Sequence, residues 1–322
     1  MLETIMLSHP HQLKKDMIKP SVLALGFFDG VHLGHQRVIL TAKQMAEKKQ
    51  MKSAVMTFNP HPKEVLGKHE GQLNYLSPLP EKQKLFEKLG IDVLYIVEFT
   101  LDFANLTPQQ FVDDYLIGLH VKHIVAGFDY SYGKLGKGTM ETLPFHSREE
   151  FTQTTISKVE RGIDKISSTF IRSLLNDGKV SLIPEFLGRY YQVKGEVVHG
   201  EKLGTKLGFP TANIETDRYI LPCTGVYAVC ANLNGRNFEG VCNVGYKPTF
   251  HKDNKHQETV EVHLFDFNES IYGEEVELQW IERIRSEQKF DSIEQLVTQI
   301  QEDKEQAKRI FSKKNMCSCN SY

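Results

Sequence analysis

One change of pattern constrains the fold of this chain more than any other feature. From residue 21 to 126, short apolar runs alternate with amphipathic segments, and from Tyr191 onward short runs rich in Val, Tyr and Phe succeed one another across turns. Residues 21–27, 53–58, 91–99 and 121–126 read as buried strands. Between them, residues 36–49 place Ile39, Ala42, Met45 and Ala46 on one helical face. Ser77 reads as the cap of a helix with Pro78 in its first turn and Gly90 at its end, and Thr107-Pro108-Gln109-Gln110 has the form of a capping box. Strand–helix alternation of this kind predicts a parallel sheet covered by helices. In the second half, residues 191–198, 225–233, 238–244, 259–267 and 275–282 are predicted strands, Asn234-Gly235 is a hairpin turn, and 292–311 is the only long helix. That predicts a small antiparallel barrel with a C-terminal helix. The expected domains are 1–186 and 187–322, joined near residues 183–190 after a helix over residues 168–176.

Charge and hydropathy exclude several classes. Lys+Arg 39 against Asp+Glu 41 leaves a net charge of −2, whereas a nucleic-acid-coating protein usually carries a basic excess. A chain that is 40% hydrophobic is too apolar for disorder, and no apolar run approaches the ~20 residues of a membrane span. Residues 1–20 are polar and carry His, Lys and Asp, unlike a signal peptide. The five cysteines all fall in the second half, and their odd number fits free thiols in the cytoplasm better than a disulfide framework. Cys317 and Cys319, spaced C-x-C, lie in a polar tail.

The densest chemical signal is Gly26-Phe27-Phe28-Asp29-Gly30-Val31-His32-Leu33-Gly34-His35, set between a predicted strand and a predicted helix. Gly30 and Gly34 let the backbone come close to a ligand, and the helix start offers unpaired N–H groups to phosphate. His32 and His35, three apart, project to one side of the first turn and can stabilise charge that develops in nucleotidyl transfer. Ser168 and Thr169 read as a helix cap, with the Arg172 guanidinium one turn later. In the second half, Gly200, Gly204 and Gly208 form a loop able to wrap phosphates, followed by Thr211 and Asn213 as oxygen ligands for Mg²⁺. Strand alternation groups Glu261 with Thr259 and His263, opposite Val260, Val262 and Leu264. Such a carboxylate either points into a polar barrel mouth, where it can take a proton from a substrate hydroxyl, or lies on the barrel's outer face.

These segments resemble two known families in order. G-F-F-D-G-V-H-L-G-H-Q resembles the nucleotidylyltransferase superfamily, and within it the N-terminal module of prokaryotic FAD synthetases. Thr57-Phe58-Asn59-Pro60-His61-Pro62, Gly127-Phe128-Asp129-Tyr130-Ser131-Tyr132-Gly133 and Ile166-Ser167-Ser168-Thr169-Phe170-Ile171-Arg172 extend that likeness, with Tyr130 and Tyr132 where the family has Phe. The G-x-x-x-G-x-x-x-G-F-P-T-A-N segment, Asn243-Val244-Gly245-Tyr246-Lys247-Pro248-Thr249-Phe250 and V-E-V-H-L-F-D-F are similar to riboflavin kinase. The resemblance implies a Rossmann-like nucleotidylyltransferase domain followed by a riboflavin kinase-like barrel. It implies two reactions: riboflavin and ATP to FMN, then FMN and ATP to FAD with release of pyrophosphate. His32 and His35 would act at the α-phosphorus. Gly26, Phe27, Asp29, Gly30, Gly34, Ser168, Thr169 and Arg172 would bind nucleotide, and Phe58, Pro60, His61 and Asp129 would lie on the flavin side. In the kinase, Thr211 and Asn213 would hold the Mg-nucleotide, Glu261 would be the general base, and Arg285 and Glu287 would lie near the flavin. Small molecules are the expected partners, with no nucleic acid and no membrane.

Overall fold

Chain contacts divide the molecule into two units, Met1–Ser168 and Thr169–Tyr322. The computed structural model describes all residues except 68–72, 162–163, 201–203, 205–206, 247–257 and 315–322. The motif residues Lys247, Pro248, Thr249 and Phe250 and the pair Cys317 and Cys319 lie outside the described residues.

In the first unit, β1 (Glu3–Leu7), β2 (Ser21–Leu25), β3 (Lys52–Asn59), β4 (Val93–Glu98), β5 (Val121–Gly127) and β6 (Thr152–Ile156) form one sheet in the order β1-β4-β3-β2-β5-β6. Every pairing is parallel. β2 is central and buried along its whole length, which is why it reads as a continuous apolar run without alternation. Helices α1 (Leu33–Lys49) and α2 (Leu79–Lys88) cover one face, where Ile39, Ala42 and Phe86 meet Val22, Ala24 and Val55. Helical turns over residues 101–117 cover the other, where Phe103, Phe111 and Tyr115 meet Leu23, Leu25 and Met56. After β2 the chain adds β3 and β4 on one side and then crosses to add β5 and β6 on the other. The carboxyl ends of β2 and β5 therefore flank the switch point at which doubly wound sheets bind ligands.

Two local expectations change. α2 starts at Leu79 with Pro78 in the cap position and no side-chain cap. Ser77 does not cap it, and its N–H is bonded to Asp29 instead. The capping box at Thr107 and Gln110 forms as read.

The helix α3 (Ser168–Asn176) starts at the last residue of the first unit, and the second unit continues from it into a closed barrel. Its strands are β7 (Tyr191–Val198), β8 (Ala212–Thr216), β9 (Gly225–Leu233), β10 (Arg236–Tyr246), β11 (Glu258–Leu264) and β12 (Glu275–Arg285), in the order β7-β8-β11-β10-β9-β12. Leu233 pairs with Arg236 across Asn234 (φ 51°) and Gly235 (φ 81°), the positive angles of a tight hairpin turn. Val193, Tyr227, Val262 and Trp280 fill the interior, and Trp280 stands edge-on to Tyr227 at 5.2 Å. Helix α4 (Ile293–Lys313) packs Ala307, Ile310 and Phe311 on the outer wall against Ala228, Cys230, Phe265 and Ile281. Cys223 and Cys242 are free thiols. Cys230 is disulfide-bonded, against the expectation of free thiols; its side chain lies on the outer wall beside α4 rather than in the sealed interior.

Candidate active sites

Three of the sequence motifs leave the carboxyl ends of adjacent strands: residues 57–62 after β3, 26–35 after β2 and 127–133 after β5. His32 is the N-cap of α1. Its Nδ1 accepts the His35 backbone N–H at 3.1 Å. A backbone N–H can only donate, so that Nδ1 is unprotonated and a neutral His32 carries its proton on Nε2. The cap also explains why α1 begins at Leu33, ahead of the first periodic residue. The His35 ring stacks on His32 at 3.6 Å, and its Nδ1 is buried without a hydrogen-bond partner. Burial, followed by the charges of His32 and Lys82, holds His35 well below the usual imidazole range. Gly34 makes the stacking possible, since a Cβ there would come within 3.1 Å of the His32 ring. At Gly30 the backbone is left-handed (φ +82°) and a Cβ would meet Leu76 at 2.9 Å. At Gly26 a Cβ would meet the Phe28 ring at 2.8 Å.

The residues expected to surround the imidazoles take more varied roles. Asp29 is buried, and its Oδ1 accepts the N–H groups of Leu76 (2.9 Å) and Ser77 (3.1 Å). Its carboxylate braces the turn, and an anion at that position disfavours direct contact with phosphate. Ser168 is the first residue of α3 and not its cap; its Oγ donates to the Asp29 carbonyl at 2.8 Å. Thr169 and Arg172 sit three apart on α3 in the second unit, Thr169 exposed and Arg172 half-buried. Phe58 is buried in the core against Phe99 and Phe103. Pro60 is half-buried in the turn after β3. The His61 ring stands 4.2 Å from that of Phe27, and its Nδ1 accepts the Lys63 N–H at 3.0 Å. Asp129 faces solvent and pairs with Lys165 at 3.3 Å. The extra hydroxyl of Tyr132, relative to the family's Phe, is bonded to His146 Nδ1 at 2.8 Å.

One group here has no counterpart in the motifs. Lys82 on α2 is 3% exposed. Its Nζ donates to the Phe27 carbonyl (3.2 Å) and Thr57 Oγ1 (3.3 Å) and lies 4.1 Å from the Phe27 ring centre. Burial pulls this ammonium down to about 8, against the opposing pull of Asp29. The readable signal was a lysine on the apolar stripe formed by Leu79, Lys82 and Phe86.

The barrel carries its own constellation. The register pairs Asn213 with Glu261 and Glu261 with Asn243, so the three side chains form one row across β8, β11 and β10. Through Val226 the row continues to Arg285. This row lies on the outer wall: Val260, Val262 and Leu264 turn inward, while Phe265, in step with Glu261 and His263, meets α4. The barrel mouth considered for Glu261 is thus not where it sits, because the interior of so small a barrel is filled by apolar side chains. Thr211 shares the Asn213 face by alternation. The bare glycines lie against these groups: a Cβ at Gly200 would reach Asn213 Nδ2 at 2.1 Å, and one at Gly204 would reach Thr211 Oγ1 at 3.2 Å. Gly208 has φ +84° and open space around it. A Cβ at Gly245 would lie 3.3 Å from both Asn243 Nδ2 and Glu287 Oε1, so Glu287 reaches the same end of the row.

Arg285 is held by α4. Its Nε and Nη2 donate to Asp303 at 2.9 and 2.8 Å, and Asp303 is 3% exposed. A charged residue on the apolar stripe of Ala307 and Ile310 was the sequence signal for this anchor. Removing one partner of a buried pair strands the other charge, at a cost of about 3–5 kcal/mol. Asp303→Ala is therefore expected to lower the thermal midpoint of the barrel by many degrees, and Lys substitution of Arg285, which keeps one charge but loses the fork, by less. An unchanged midpoint in Asp303→Ala would show that this pair does not hold α4.

Fold and sites together define an enzyme with two phosphate-transfer centres, one of nucleotidylyltransferase type and one on a kinase barrel. The FAD synthetase family profile matches residues 14–170, and the riboflavin kinase profile matches 187–311. The chain is 51% identical over 312 residues to the bifunctional riboflavin kinase/FMN adenylyltransferase of Bacillus subtilis, covering 97% of this chain and 99% of that one. The protein of the same description from Listeria monocytogenes is 45% identical over 97% of this chain and 99% of its own length. A solved structure described as a macrolide-efflux protein from Streptococcus pneumoniae superposes with a TM-score of 0.84 and 36% identity, covering 95% of this chain and 98% of that one. The chain belongs to the bifunctional riboflavin kinase/FMN adenylyltransferase family. Among the described residues no helix is long and apolar enough to cross a membrane.

Proposed function

We propose that residues 1–186 transfer the adenylyl group of ATP to FMN and that residues 187–322 transfer the γ-phosphoryl group of ATP to riboflavin. In the first reaction a phosphate oxygen of FMN attacks the α-phosphorus and pyrophosphate leaves. The observation that carries this half is the His32 tautomer: with Nδ1 accepting from the helix, the proton of the neutral ring sits on Nε2, which would donate to the α-phosphate. His35 stands behind it, and the amides from Gly30 to Gly34 begin a helix whose N-terminus favours anions. Thr169 and Arg172 keep the pyrophosphate-binding role that the motif implies. Pro60 and His61 form the flavin side and Gly26 and Phe27 keep the nucleotide-side role that the motif implies, while Asp29 and Ser168 support the turn and Phe58 belongs to the core. Asp129 remains a flavin-side residue by motif.

In the kinase, Glu261 takes the proton of the ribityl 5′-hydroxyl as its oxygen attacks the γ-phosphorus and ADP leaves. The row that sets the Glu261 carboxylate between Asn213 and Asn243 supports this role. Mg²⁺ fits the site through its donor set. No group of three acidic, His or Cys residues able to cage a metal exists among the described residues. The hydroxyl of Thr211 and the amide oxygen of Asn213 suit an ion held mainly by nucleotide phosphates, and both lie against the bare backbone of Gly204 and Gly200. When bound, the ion would neutralise phosphate charge. Glu287 reaches the flavin end of the row, and Arg285 positions that end through α4. We infer a cytoplasmic location from the use of ATP in both proposed reactions.

Incubation of the pure chain with riboflavin, ATP and Mg²⁺ tests this, with products separated by chromatography. FMN is expected first and FAD after it, and excess chelator is expected to stop FMN formation until Mg²⁺ is restored. Failure to form FMN would overturn the kinase half, and FMN without FAD the adenylyl half.

A further inference from the structure

Lys82 is a buried cation with no carboxylate within ion-pair distance among the described residues. Its ammonium has two oxygen partners, the Phe27 carbonyl and Thr57 Oγ1, and one aromatic face. Neither oxygen needs it. Thr57 Oγ1 already donates to the Phe27 carbonyl at 2.8 Å, so an apolar side chain in place of Lys82 would leave no acceptor orphaned. For packing alone the position favours an apolar residue, since a buried charge without a counter-ion is destabilising. The charge nevertheless sits where Phe27 leaves β2, next to Asp29 and within electrostatic reach of His35.

We propose that Lys82 is a positioning residue for adenylyl transfer: its ammonium ties the Phe27 turn to the end of β3 and sets a fixed positive charge behind the His32–His35 pair. The inference rests on the adenylyl-transfer reading of the first unit. Two consequences follow. The turn that presents His32 is pinned from below by a charge-assisted bond as well as by the Asp29 brace. In addition, a positive charge beside two stacked imidazoles, carried by Lys82 below its lowered pKa of about 8, disfavours their protonation. The groups that face His35 are His32 on the same turn and Lys82 on α2, with Asp29 acting on Lys82 from the turn. Burial and both cations keep the neutral ring in place, so removing Lys82 lets His35 protonate at higher pH.

The test uses the full chain with Lys82→Met, which keeps length and removes charge, and Lys82→Gln, which keeps a donor and removes charge. FAD formation from FMN and FMN formation from riboflavin are measured on the same samples, with thermal unfolding. The expected result for Lys82→Met is a higher thermal midpoint, FAD turnover lower by about 10-fold or more, the size typical of losing an electrostatic contribution, and unchanged riboflavin phosphorylation. The acid limb of the FAD pH profile is expected to move to higher pH in both variants. A Lys82→Met protein that makes FAD at the native rate would overturn the proposal. So would a Lys82→Gln protein with native turnover and an unmoved acid limb, because the lysine would then be a strut whose charge has no role. Absence of FAD formation in the unaltered chain would instead refute the underlying assignment of the first unit.

Discussion

Replacing Glu261 by Gln is expected to slow riboflavin phosphorylation about 10²–10⁴-fold, the span typical of a lost general base, while FAD formation from added FMN continues unchanged. Gln matches the shape of Glu and can still hydrogen-bond within the Asn213–Glu261–Asn243 row, so the strand register and the neighbouring amides stay in place. Only the proton acceptor is removed. The KM for ATP should therefore change little while kcat falls, the pattern of an interaction made in the transition state. Native kcat in Glu261→Gln would remove this residue from the chemistry.

The second large effect concerns His32, which has two separable duties. As a helix cap it satisfies the His35 N–H through Nδ1, and as a donor it offers Nε2–H. His32→Ala loses both: about 1 kcal/mol of cap stability and about 10²–10³-fold in FAD turnover, the size typical of removing one pre-aligned donor. His32→Asn restores the cap, since Asn is among the best N-cap residues, but its shorter amide does not reach as far as the imidazole Nε2. The pair should thus differ in thermal stability and agree in the loss of FAD formation, with riboflavin phosphorylation unaffected in both. If Asn restored FAD turnover along with stability, His32 would be a cap and nothing more.

How much of this was legible in the sequence depends on the kind of signal. Central strands such as Ser21–Leu25 and the tight Asn234-Gly235 turn were readable because burial on both faces and positive φ each demand particular residues. Glu3–Leu7 and Thr152–Ile156 were not, because each pairs on one side only and leaves much of its surface exposed, so neither needs a buried apolar run. In the sites, His32 and His35 announced themselves through spacing next to glycine. Asn243, Lys82 and Asp303 did not, because their significance comes from partners distant in sequence: Glu261 across a strand pair, Phe27 across the sheet edge, and Arg285 across a helix–barrel contact. Asp29 illustrates the converse. It lies in the most readable motif, yet its work is to hold two backbone amides some fifty residues away, 47 and 48 positions along the chain. The side of the barrel on which Glu261 sits was undecidable from alternation, which separates faces without saying which one is inside.

Trp280 gives the molecule a private optical label. It is the chain's only tryptophan, it is fully buried inside the barrel, and its indole N–H has no partner there. Selectively excited indole emission therefore reports on the second unit alone, starting from the blue-shifted spectrum of an apolar cage and moving to the red only when the barrel opens. A whole-chain signal of backbone structure can be followed beside it, and a loss that appears there without a shift in indole emission belongs to the first unit. Damage from a substitution can then be assigned to one catalytic half without cutting the chain.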